Sequence, residues 1–328
     1  MLFDGQNNSP WRLSPDFGIG PPVFPLKLAP RSADQTLEGI DSRMSALFET
    51  KGVERPWALS TPPPFPAVAM KVLELLGQED VDVRQVVRWL QADAVFSGEM
   101  LRVANSALYG TSGQIRSVHH ATITLGLDFV KALAVTVGLR AYVKSAMKAP
   151  VLRRCWSHSL ACGMLSQELA TACFMKGDEA YTAGLLHDIG RLGLLAAYPV
   201  EYANVLDVAV EYSFDVLHCE RELFDIDHCE AGAWLAEQWK LPPELSVIAA
   251  HHHENPVAVA TGKTPDLLTV VRLGCRLADA LDFSVVKTRE PGDFVQILGY
   301  LPEAARLRFP KDIEALKTKV ADRIQALS

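Results

Sequence analysis

From Val68 to Ile324 the apolar residues of this chain recur at helical spacing, and no useful run alternates at the two-residue period of a half-buried strand. Val68, Val72, Leu75 and Leu76 share one helix face, and Val86, Val87 and Leu90 share the next. Helices that bury a single stripe must pack on one another, so the pattern commits the chain to an all-α fold. The chain has 328 residues, 49% of them hydrophobic, enough for a sizeable core in one large domain or two lobes.

Residues 1–55 break the pattern. Pro10, Pro15, Pro21, Pro22, Pro25 and Pro30 fall among glycines and asparagines and cannot sit inside a long helix. The first 35 residues read as a tail or linker, more mobile and more open to proteases than the body, with a short helix following at 36–50. Leu59-Ser-Thr-Pro-Pro-Pro-Phe-Pro66 is a polyproline-type lead-in. It serves either as the stiff entry to a domain or as a ligand for an SH3-like partner. Beyond it, Asp82 offers an N-cap, the helical pattern continues over 94–108 and 118–147 with Gly110, Gly113 and Gly126 as punctuation, and candidate helices run over 151–174, 178–197, 200–213, 217–224, 228–240, 243–252 and 266–282. Leu241-Pro242-Pro243 stops one helix and starts the next. A last helix at about 310–327 carries Ile313, Leu316, Val320 and Ile324 as its stripe.

Several function classes lose ground on composition. The formal net charge is -7, which favours solubility and argues against a general nucleic-acid or membrane-surface role, since phosphate binding needs clustered Lys and Arg. The best apolar stretch, Leu125–Leu139, is interrupted by Asp128, Lys131 and Gly138 and is too short to span a bilayer. The N-terminus lacks the basic and apolar regions of a signal peptide, so a cytoplasmic location is expected. None of the six cysteines forms a C-x-x-C pair, and Cys155 and Cys162 read as buried thiols on one helix face.

Seven of the nine histidines lie between His158 and His253. At their centre is Leu185-Leu186-His187-Asp188-Ile189-Gly190, an imidazole beside a carboxylate in an apolar helical stretch. Such a pair can flank one metal ion or reach two, with the carboxylate bridging. Gly190 leaves room for a close approach of backbone or substrate. His158, His228, the run His251-His252-His253 and Asp279 each sit on a separate helical segment. Any one of them alone would read as an ordinary core or surface residue. Together, in the order H…HD…H…HH…D with apolar flanks, they suit iron, manganese, zinc or nickel better than calcium. His119, His120 and His218 have no partner motif.

That order resembles the HD superfamily of metal-dependent phosphohydrolases, with His158, His187-Asp188 and Asp279 matching its H…HD…D pattern. His228 and the pair placed at His251-His252 match the additional histidines of the HD-GYP branch. A narrower resemblance covers residues 59–280. Leu101–Gly110, Ser117–Gly126, Trp156–Leu160, Gly184–Gly190, Asp227–Gly232 and Trp239–Leu241-Pro242 are similar, in order, to the signature of HDOD domains. The resemblance implies two helical lobes, the C-terminal one an HD-like helical bundle. The N-terminal lobe would span 56–150 and the HD-like metal-site lobe 151–285, with a helical extension over 286–328. It further implies a bacterial signal-transduction or regulatory protein that acts as a binding or scaffold module. Such a module would hold one or two divalent metal ions on His158, His187, Asp188, His228, His251, His252 and Asp279. Its partner would be a signalling protein or a small nucleotide ligand, and a homodimer is compatible with the pattern.

The alternative implied is a metal-dependent phosphomonoesterase or phosphodiesterase, in which Asp188 would orient a water and Arg191 would seat the phosphate. Two departures from the HD-GYP pattern weigh against cyclic di-GMP hydrolysis. Arg191 stands where that branch has Lys, and Arg stays charged and cannot donate a proton near neutral pH. Glu254-Asn-Pro-Val follows the histidine run in place of Gly-Tyr-Pro. His253 is the open substitute for the missing acid.

Overall fold

The computed structural model describes residues 67–74, 82–105, 114–144, 148, 150–212, 214–260, 262–286 and 292–327. The proline-rich tail, the 36–50 helix and the 59–66 lead-in lie outside these residues. Every regular element among the described residues is an α-helix.

The helices are α1 Ala67–Leu73, α2 Val83–Gln91, α3 Ala94–Ala104, α4 Val118–Leu125, α5 Leu127–Val143, α6 Pro150–Ala172, α7 Gly177–Leu186 and α8 Ile189–Ala197. They continue as α9 Pro199–Tyr212, α10 Val216–Phe224, α11 His228–Gln238, α12 Pro243–His251, α13 Leu267–Ala280, α14 Phe294–Leu298, α15 Glu303–Arg308 and α16 Ile313–Leu327. Local chemistry sets many of the starts. The side chains of Asp82, Asp93, Ser117, Asp215, Asp227 and Asp266 each accept a backbone N–H from the first turn of the following helix.

The helical pattern over 118–147 divides at its glycine punctuation, and the 178–197 segment, expected as one helix, is split. The 118–147 segment breaks at Gly126, whose φ of 91° lies in the left-handed region that glycine alone tolerates freely. Its N–H closes α4 on the Thr122 carbonyl, and its own carbonyl accepts from Val130 to open α5. The 178–197 segment breaks at His187-Asp188, with Asp188 in the N-cap position of α8. Short helices α14 and α15 carry too few turns to show a periodic stripe in the sequence. In α16 the buried stripe is Leu316, Val320, Ile324 and Leu327, while Ile313 is exposed.

The core positions the site in two steps. Helix α6 packs against α7 and α13, and α11 packs against both α8 and α12. Helix α5 links the N-terminal helices to these groups. Its Thr136 hydroxyl is 2.9 Å from that of Tyr181 in α7, and Tyr142 meets the Trp239 ring edge-on at 5.4 Å. Cys155 and Cys162 are fully buried in α6. None of the helices among the described residues is long and apolar enough to cross a membrane.

Candidate metal centre

The break between α7 and α8 is what gives the His-Asp pair its geometry. His187 leaves the last turn of α7 and turns Nδ1 back onto the Gly184 carbonyl at 2.6 Å. Asp188, one residue on, no longer follows the helical path. Helix α11 crosses directly over Gly190. A Cβ added there would overlap the His228 carbonyl oxygen and the Gly232 nitrogen, so only glycine lets α8 and α11 meet. That contact brings His228, the first residue of α11, over Asp188. A capping box between Asp227 and Glu230 fixes the start of α11, and Arg221 pairs with the buried Asp227.

Three buried polar atoms at the centre have no hydrogen-bond partner: His187 Nε2, Asp188 Oδ1 and His252 Nε2. Both imidazoles give their Nδ1 to a backbone carbonyl, His187 to Gly184 and His252 to Ala249 at 2.9 Å. Rings held this way aim Nε2 inward. His252 Nε2 stands 3.6 Å from Asp188 Oδ1, so lone pairs face lone pairs. A cation at the centre would satisfy such a set, and His187, Asp188 and His252 place one donor atom each within 4.8 Å of the others.

The electrostatics agree. Burial opposes the charge on Asp188, but Arg191 holds its carboxyl well below the usual range. Burial, with His187 opposing the charge and Asp188 favouring it, leaves His252 below the ordinary imidazole value and so neutral. His187 is the exception. Burial lowers it, yet the neighbouring Cys275 sulfur, the Asp188 charge and the Gly184 carbonyl raise it to about 9. Without a metal, a proton on His187 supplies the positive charge that this spot favours.

His158 approaches from α6. Its Nδ1 is 3.0 Å from the Phe283 carbonyl and 3.6 Å from Asp279, and its Nε2 is 3.4 Å from the Cys275 sulfur. Its ring centroid lies 5.3 Å from that of His187. His158, His187 and Cys275 form a second group of donor atoms within 4.8 Å, adjoining the first.

On the opposite side of Asp188 lies a charged network. Arg191 donates Nε to Asp188 Oδ2 at 2.7 Å, Nη1 to the Tyr202 hydroxyl at 3.1 Å and Nη2 to His228 Nε2 at 3.0 Å. Tyr202 donates to Glu220, which also takes the His228 backbone N–H at 2.9 Å and lies 2.6 Å from His228 Nδ1. Burial pushes the Glu220 carboxyl up to about 6, with Arg191 and Tyr202 opposing it. Burial and Arg191 keep His228 neutral.

The structure thus brings together His158, His187, Asp188, His228 and His252. It places Asp279 at the rim, on the Nδ1 edge of His158, with 30% of its side chain exposed. His251 is not in the cluster. It points to solvent, pairs with Glu254 at 2.7 Å, and His253 takes its expected place, 2.9 Å from His228 Nε2. The reason is phase. In α12, Leu245, Ile248 and Ala249 face inward, and His252 continues that stripe three residues past Ala249, while His251 falls about 100° away. That signal was present in the apolar spacing. Cys275 was readable only as a core thiol, and Glu220 and Tyr202 resemble any helical Glu and Tyr until the fold buries them.

Above the cluster is a cleft of about 560 Å³. His158, Asp188, Arg191, His252, His253, Cys275 and Asp279 reach its floor. Phe214, Val216, Leu217, Val285 and Val286 form apolar walls. The arrangement can receive a small ligand with an apolar body and a polar head directed at the donor set.

Comparisons with known proteins identify the family and the fold. The HDOD domain family model matches residues 63–255. An uncharacterized protein of Treponema pallidum (strain Nichols) is 25% identical over 197 residues, which are 58% of this chain. The match spans 37% of that relative's length. Among solved structures, an HDOD domain protein of unknown function from Geobacter sulfurreducens is 24% identical, with a TM-score of 0.65 over 82% of this chain and 93% of that one. A Shewanella amazonensis SB2B protein provisionally named a phosphohydrolase is 24% identical, with a TM-score of 0.59 over 84% and 99%. A Marinobacter aquaeolei VT8 protein provisionally named a signal transduction protein is 20% identical, with a TM-score of 0.63 over 88% and 65%. At these identities the structures speak for the fold alone.

Proposed function

Because this chain belongs to the HDOD family, we propose that it is a bacterial signalling protein that acts by binding, with a divalent metal held on His187, Asp188 and His252 beneath a ligand cleft. The observation that carries the reading is the state of Arg191. A phosphohydrolase of this layout needs a cation free to seat the phosphate and a group able to protonate the leaving oxygen. Arg191 is buried, and three of its five N–H donors, one on each nitrogen, go to Asp188, Tyr202 and His228, so its charge is engaged in the protein's own network. It also stays protonated, its pKa raised well above the ordinary value by Asp188 and other neighbours that outweigh burial.

The metal would supply Lewis acidity toward an anionic group in the cleft. This chain's own residues would orient the ligand: Phe214 and the valines against its apolar part, His253 and Asp279 at its polar edge. A small nucleotide fits that description. The Shewanella protein's name and the buried donor set support a second reading, a metal-dependent phosphoesterase with His253 as the proton carrier. Manganese- or iron-loaded protein, tested on cyclic dinucleotides, linear dinucleotides and nucleoside monophosphates, separates the two. The binding reading expects saturable binding of one ligand class and no turnover. Robust turnover that disappears in an Asp188→Ala control would replace it with the enzyme reading.

A further inference from the structure

A two-ion centre built on one bridging carboxylate needs each oxygen of that carboxylate to face a cation, the ions standing about 4 Å apart. Asp188 does have two differently used oxygens. Oδ1 has no hydrogen-bond partner and lies 3.6 Å from His252 Nε2 and 3.4 Å from His228 Nε2. Oδ2 already accepts from Arg191 Nε at 2.7 Å. The other ligand a second ion would use, His228 Nε2, is also taken: it accepts from Arg191 Nη2 at 3.0 Å, and His253 Nε2 lies 2.9 Å away. With its Nδ1 hydrogen directed at Glu220, His228 has one lone pair to give, and the guanidinium is on it.

We propose that Arg191 is the second cation of this centre, a covalently tethered guanidinium in the place of a second metal ion, so that the site takes one divalent ion and no more. The inference rests on the metal reading above and adds to it the number of ions and the residue that sets it. Guanidinium suits the role chemically. It keeps its charge at every accessible pH, and its planar fork reaches Asp188 and His228 from one position. Tyr202 and Glu220 hold it from behind, through Nη1 at 3.1 Å and 3.7 Å. The fork also engages His228 Nε2, one of the donor atoms in the neighbouring group of His228, Cys229, His252 and His253.

The test is metal counting on the full chain, stripped with chelator and reloaded with excess Mn(II), with the electron paramagnetic resonance spectrum recorded on the same sample. The wild type should hold one Mn(II) per chain and give an isolated-ion signal. Arg191→Ala, which vacates the position and leaves Glu220 and Asp188 without their cation, should rise from one ion to two and show exchange coupling. Two coupled ions in the wild type would overturn the inference, as would a folded Arg191→Ala that still holds one. If that variant does not fold, the wild-type count and spectrum decide alone. A wild type that holds no ion would instead remove the metal reading on which the inference depends.

Discussion

Helices α2 and α8 are each nine residues long, yet they handle charge in opposite ways. In α2, Val86, Val87 and Leu90 face the core while Arg84 and Arg88 stay in water, and Asp82 caps the start. In α8, all seven residues from Ile189 to Leu195 are buried, Arg191 among them. Helix α2 is held by an apolar stripe whose polar groups never leave solvent. Helix α8 is held partly by a charge exchange inside the protein, among Asp188, Arg191, Tyr202, Glu220 and His228. The first arrangement tolerates loss of a polar group. The second does not, because each group removed leaves another buried and unpaired.

The sharpest way to break this comparison is Glu220→Ala. It removes a buried carboxylate from Arg191 and the acceptor from the His228 ring and backbone. We expect a loss of about 3–5 kcal/mol, read from the denaturant midpoint. A loss within the range of surface substitutions would mean that the network does not hold α8. Gly190→Ala comes next. With no room for a Cβ against the backbone of α11, it should cost about 1–3 kcal/mol or more and lower bound metal, since a shifted α8 would displace Asp188 at its N-cap. An unchanged melting temperature would contradict the close crossing.

The comparison also predicts a pH dependence confined to the buried region. His187 is raised to about 9, and an imidazolium cannot ligate. As pH falls below that value, the metal must displace a proton, so apparent affinity should fall by about tenfold per pH unit between 9 and 7. Competition with a chromophoric chelator measures it, and a flat profile would remove His187 from the ligands. The smallest effect belongs to α2. Asp82→Ala should cost about 0.5–2 kcal/mol, the ordinary value of an N-cap, and leave metal content unchanged. A cost as large as that of Glu220→Ala would erase the distinction between the two helices.

The same contrast explains what could be read from the sequence. Amphipathic pieces such as α2 and α16 announce themselves, because one face is polar. The all-α character, the N-cap at Asp82 and the convergence of His158, His187, Asp188, His228 and His252 were all legible. Buried helices blur. The break at His187-Asp188 was hidden in a segment that is apolar on every side, and α7 and α8 read as one helix. The histidine register failed for a different reason: three adjacent ligand-type residues offer no chemical preference, and only the inward phase of Leu245, Ile248 and Ala249 selects His252. Glu220 and Cys275 stayed hidden because their roles come from contacts with residues far along the chain, Glu220 with Arg191 and Cys275 with His158. Asp279 illustrates the limit of a matched motif, since the fold carries it to the cleft rim while Cys275, one turn earlier, faces the rings.

The claim that the histidine cluster is a metal centre is tested most directly by an anomalous-difference map from crystals of the manganese- or iron-loaded full chain. The predicted result is one peak at bonding distance from His187 Nε2, Asp188 Oδ1 and His252 Nε2 (about 2.0–2.2 Å), with none at the Arg191 guanidinium. A map without a peak at those atoms, from crystals whose protein carries the metal in bulk analysis, would contradict it.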